Sequence, residues 1–124
     1  MAPDQLALIY AVLAAFPIFA QIALALGAPW GSITLGGRYP GQLPTKLRLA
    51  AVLQATILTA LAAIVLDKAD AISIGLPDWT IWVTVAVMTA SAILNTITPS
   101  RIERLLWSPV TILKSLIAWT LALT

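Results

Sequence analysis

Cysteine and histidine are both missing from this 124-residue chain. Their absence removes disulfides, thiol chemistry, haem ligation by histidine, the common zinc sites and histidine proton relays together. Charge is scarce too: Lys, Arg, Asp and Glu make up 10% of residues, and the net charge is only +2. A pI of about 9.4 therefore rests on few groups and offers nucleic acid no basic surface. No carboxylate falls inside the long apolar runs, so the acids or histidines that an intramembrane enzyme would use are lacking. An enzyme is accordingly the third-ranked reading, with no catalytic residue named, and neither a metal nor a cofactor is expected. No repeat, low-complexity tract or linker is present, and the chain reads as a single domain over residues 1–124.

Apolar residues, by contrast, fill 60% of the chain, and the mean hydropathy is +0.98. A water-soluble domain of this size has too little interior to hide so much apolar surface, so lipid is the expected solvent. About 20 apolar residues cross a hydrocarbon core of about 30 Å, and four segments meet that requirement. They are predicted as helices over about 5–26, 45–66, 78–97 and 101–123, an all-α integral membrane four-helix bundle. The opening MAPDQ has no basic stretch and carries an acid, so the first segment is expected to be a membrane helix rather than a cleaved signal. Thr45 behind Pro44 is placed to cap the second helix, Asp78 to cap the third, and Ser100 with Glu103 to form a capping box on the fourth. Pro17 and Pro109 interrupt the first and fourth segments; Pro109 leaves open whether residues 100–107 form a separate interfacial turn.

Glycine and proline concentrate in one place. Residues 27–48, GAPWGSITLGGRYPGQLPTKLR, hold Gly27, Gly31, Gly36, Gly37 and Gly41 among the chain's six glycines, with Pro29, Pro40 and Pro44. The same loop carries Arg38, Lys46 and Arg48, the third loop carries Arg101 and Arg104, and the second carries only Lys68 among Asp67, Asp70 and Asp78. Basic residues in short loops are retained in the cytoplasm. Loops 27–44 and 97–104 are therefore expected to be cytoplasmic and both termini outside, in a bacterial inner membrane.

Between helices in lipid, close approach of small residues and interhelical hydrogen bonds replace the hydrophobic force. Faces of that kind are Ala7, Ala11, Ala14, Gln21 and Ala25; Ala51, Ala55, Thr59 and Ala63; Thr80, Thr84, Ser91 and Asn95; and Thr111, Ser115, Ala118 and Ala122. Trp79 and Trp82 suit the outer interface and Trp30 and Trp107 the inner one, as an aromatic belt. Lys114 lies roughly 13 Å beyond Leu105 along its helix, and Gln54 about 12 Å beyond Lys46, so the two are placed to meet. A lysine at that depth costs about 3 kcal/mol on insertion scales and marks a functional site by default, unless it snorkels to an interface or loses its charge.

The patterns GAPWG, GG and LPxxLR, then Asn95 and SRIERLLWSP at residues 100–109, resemble a family of short bacterial integral membrane proteins of uncharacterised activity. The resemblance spans Gly27 to Pro109 and implies a four-helix membrane fold. It singles out Gly27, Pro29, Gly31, Gly36, Gly37, Leu43, Pro44, Arg48, Asn95, Ser100, Glu103, Arg104, Trp107 and Pro109, and implies an apolar residue where Lys114 stands.

These positions converge on a cytoplasmic cap. Arg38, Tyr39, Arg48, Asn95, Arg101, Glu103, Arg104 and Trp107 are its candidate binding residues, with Glu103 expected to pair with Arg48 or Arg38. Gln21, Gln54 and Lys114 are the candidate intramembrane polar residues. The first functional reading is a non-enzymatic interaction or accessory subunit that binds a partner membrane protein or lipid. The alternative is a transporter or channel for a small solute or anion, acting as a homo-oligomer because four short helices enclose little space.

Overall fold

The computed structural model describes all 124 residues and is entirely helical. Four helices follow one another: α1 (Pro3–Ala25), α2 (Thr45–Lys68), α3 (Thr80–Ile97) and α4 (Arg101–Ala122), each long and apolar enough to cross a membrane. Two short 3₁₀ turns, Gly31–Ile33 and Leu35–Gly37, break the connection between α1 and α2.

Local chemistry sets the helix ends. Pro3 opens α1 where a missing N–H costs nothing, and the Gln5 side chain turns back to accept the Ala2 N–H at 3.0 Å. Ser100 caps α4 by accepting the Glu103 N–H at 3.2 Å. Two expected caps are not made. Thr45 is already the first residue of α2, behind Pro44, and no side chain caps that end. Asp78 stands outside α3, nearly fully exposed, 3.9 Å from Lys68; the turn is closed instead by Thr80, whose hydroxyl donates to the Pro77 carbonyl at 2.7 Å. Pro17 and Pro109 both lie within continuous helices, so residues 101–107 form the first turns of α4 rather than a separate element.

The chain runs up and down. Pro3, Lys68 and Thr124 meet at one end, and the Gly/Pro loop packs on the start of α4 at the other. Helices pair closely within the α1/α2 and α3/α4 hairpins and less closely between them. Near the termini the hairpins are joined by a packed core that includes Tyr10, Leu58, Leu61, Val65, Ile81, Met88, Ile117 and Leu121. A smaller core of Leu24, Leu43 and Ala51 fixes the Gly/Pro loop to the first hairpin.

The small-residue faces are inward only in part. Ala7, Ala14, Ala51, Ala55, Thr84, Thr111, Ser115 and Ala118 are buried, whereas Thr59 is exposed, and Ala11, Ala25, Ala63, Thr80 and Ala122 are half-buried. Larger side chains fill what alanine leaves open. Phe16, Phe19, Leu49, Leu53, Leu105 and Leu116 all point outward, an apolar exterior compatible with a multi-pass membrane protein.

Candidate functional site

Because the hairpins separate between the two cores, a cavity of about 160 Å³ opens there. Every helix contributes to it, each from one face. From α4 come Glu103, Trp107, Thr111 and Lys114, spaced by four, four and three residues and so stacked on a single stripe. From α3 come Met88, Ser91 and Asn95, from α1 Pro17 and Gln21, and from α2 Gln54 and Leu58. Glu103 and Lys114 stand eleven residue steps apart, or about 16 Å along the helix axis.

Ile33 and Thr34 of the Gly/Pro loop line the cavity with them. They are held by α4: the Trp107 indole N–H donates to the Ile33 carbonyl at 2.8 Å, and the Ser100 hydroxyl donates to the Ser32 carbonyl at 3.3 Å. The loop reaches that position because its neck is pinched. The Gly31 N–H donates to the Gly41 carbonyl at 2.8 Å, and a Cβ on Gly31 would lie 1.7 Å from the Tyr39 carbonyl oxygen. Only glycine fits there. Gly37, at φ +75°, then lays its backbone against the Ser100 side chain.

At the far end Lys114 is 1% exposed, and its ammonium forms no side-chain hydrogen bond or ion pair with the protein. Its Nζ lies 5.2 Å from the centre of the Tyr10 ring, a cation–π contact. Its side chain is buried within the bundle. The Tyr10 and Thr84 hydroxyls are buried without partners. Gln21 and Gln54 spend no side-chain hydrogen bond on the cavity wall, and Asn95 spends only one N–H, on the Ser91 carbonyl at 2.9 Å. Amide groups therefore remain free along the cavity.

Glu103 does not pair with Arg48 or Arg38. One carboxylate oxygen accepts the Thr98 hydroxyl at 3.0 Å, and Thr98 in turn accepts the Ser100 N–H at 3.3 Å, so the capping box is closed through Thr98. Arg104 donates to the Thr98 carbonyl. Arg48 instead donates from Nε to the Ala25 carbonyl at 3.0 Å, where a cation complements the negative end of α1. The ion pair between Lys68 and Asp78 at the opposite end is the only one in the molecule.

The structure thus gathers Gln21, Gln54, Asn95, Glu103, Trp107 and Lys114 around one cavity and leaves Arg38, Tyr39 and Arg101 exposed outside it. Trp107 is half-buried and lines the cavity. Thr98 and Tyr10 are the contributors that sequence reasoning missed. Thr98, directly before the Pro99-Ser100 start of α4, carried a usable signal, whereas nothing local marks Tyr10. Glu103 is the one carboxylate on the cavity, which supplies no ligand set for a metal ion. It stands three helical turns from Lys114, too far for an acid–base pair. No family model, no curated protein and no solved structure matches this chain.

Proposed function

We propose that this chain is a non-enzymatic, multi-pass protein of a bacterial inner membrane that binds a small solute in its interior, with an anionic group of the solute on Lys114. The loop and cavity end faces the cytoplasm and both termini face outward, an orientation supported by Arg38, Lys46, Arg48, Arg101 and Arg104 against Lys68 alone. The observation that carries the binding reading is Lys114. A buried ammonium with no protein counter-charge is costly, and an anionic ligand in the adjoining cavity offsets that cost. Dense packing at the terminal end and a loop-covered cavity at the other suit the binding half of a transporter that loads from the cytoplasm.

This reading takes precedence over that of an accessory subunit. The outward groove between α1 and α2, lined by Ala25, Ala55, Ala60 and Ala63, carries no charged side chain. Its hydroxyls, on Thr56 and Thr59, are spent on their own helix backbone. Nothing there defines a partner.

Thermal melting of protein in lipid nanodiscs tests the proposal, with acetate, propionate and hexanoate as probes. A ligand that binds only the folded state raises the melting temperature in proportion to its affinity. Carboxylates are expected to raise it for the wild type and not for Lys114→Met, which keeps the length of the side chain and folds at least as well. Equal stabilisation of both proteins would overturn the proposal.

A further inference from the structure

The cavity carries two charges, and they are of opposite sign at opposite ends. Lys114 and Glu103 are the only charged residues that line it, and no ion pair joins them. Both are largely buried, at 1% and 9% exposed. The helix rise puts their backbones about 16 Å apart. The Glu103 oxygen that does not accept from Thr98 has no protein donor, and Lys114 has no protein acceptor. Each charge is left with unmet hydrogen-bonding capacity.

Net charge decides what fits between them. A simple anion satisfies Lys114 and leaves the Glu103 carboxylate without a partner, and a simple amine does the reverse, so each leaves one buried charge uncompensated. A solute with a carboxylate at one end and an ammonium at the other leaves the interior neutral and satisfies Lys114 and Glu103 at once. Because the two residues stand three helical turns apart on α4, such a solute carries its ionic groups at opposite ends of an extended chain. The volume of about 160 Å³ equals about five waters. That is narrow for its length and favours a thin, extended molecule. The amides of Gln21 and Gln54, and that of Asn95 beyond its bond to the Ser91 carbonyl, line the same cavity.

We infer that the cavity is a site for an elongated zwitterion of the ω-amino acid class, its carboxylate on Lys114 and its ammonium on Glu103 beneath the loop. This deepens the binding reading above and rests on it. Glu103 acts here as a specificity-determining residue and Lys114 as the primary anchor.

Calorimetric titration of the intact protein in nanodiscs, with ε-aminocaproate, hexanoate and hexylamine as matched probes, tests the inference. The wild type is expected to bind ε-aminocaproate at least tenfold more tightly than either single-charge analogue. Glu103→Gln is expected to bring the affinity for ε-aminocaproate down to that for hexanoate, and Lys114→Met to abolish binding of both. Should Glu103→Gln fail to fold, the three-probe comparison on the wild type still decides. Hexanoate binding as well as or better than ε-aminocaproate, with both lost in Lys114→Met, would overturn the zwitterion and leave the anion-binding reading standing. No binding by any of the three would overturn both.

Discussion

Thr98 shows how one small side chain governs a buried charge. Its hydroxyl donates to Glu103 and accepts from the Ser100 N–H, so Thr98→Val strips a partner from each. Leaving such groups unsatisfied costs about 1–3 kcal/mol, and the melting temperature in detergent is expected to fall by several degrees. In that background Glu103→Gln is expected to cost less than in the wild type, because the shared bond is already gone. Arg48 behaves differently. Its guanidinium holds the Ala25 carbonyl at the end of α1, away from Glu103, so Arg48→Gln and Glu103→Gln are expected to add within about 0.5 kcal/mol. A larger coupling between those two residues would contradict the geometry.

At the scale of elements, the loop between α1 and α2 is a cover held at a few points. Its seat on α4 consists of the Trp107 indole on Ile33, the Ser100 hydroxyl on Ser32 and the close approach of Gly37. Trp107→Phe keeps an aromatic ring against the cavity and removes the N–H. Amide hydrogen exchange over residues 31–37 is expected to quicken at least several-fold while the middle turns of α1 to α4 keep their protection. Unchanged exchange in that segment would show that the indole bond does not hold the cover. The opposite connection is tied down by other means. The Asp67 carboxylate accepts the N–H groups of Ile74, Gly75 and Leu76 at 2.7, 3.0 and 2.9 Å, folding that loop back over the end of α2.

For the whole molecule, two closely packed hairpins meet through an apolar core at one end and a polar cavity at the other. Orientation in the membrane decides which compartment the cavity serves. The chain has no cysteine of its own, so single cysteines report cleanly. Tyr39→Cys, in the Gly/Pro loop, is expected to be shielded from an impermeant thiol reagent in intact cells and labelled after permeabilisation. Ser73→Cys, between α2 and α3, is expected to label in intact cells. Labelling of Tyr39→Cys without permeabilisation would reverse the proposed orientation.

Helix number and approximate limits were legible in the sequence because long apolar runs and capping residues act locally: hydropathy sums over a window, and Ser100 needs only the amide of Glu103, three residues on. The polar set Gln21, Gln54, Asn95 and Lys114 was legible for the same reason, since each stands out against apolar neighbours. Their convergence was not. It depends on how far the two hairpins part, which side-chain volumes such as those of Tyr10, Leu58 and Met88 decide across the bundle. The partner of Glu103 was likewise out of reach of the sequence. Opposite charge pointed to Arg48, but the bond that forms is to Thr98, because the loop path carries Arg48 to the end of α1 and leaves the nearest donor five residues away in the chain. Local propensity thus determined the elements, and only the long-range packing of those elements decided which polar groups face one another.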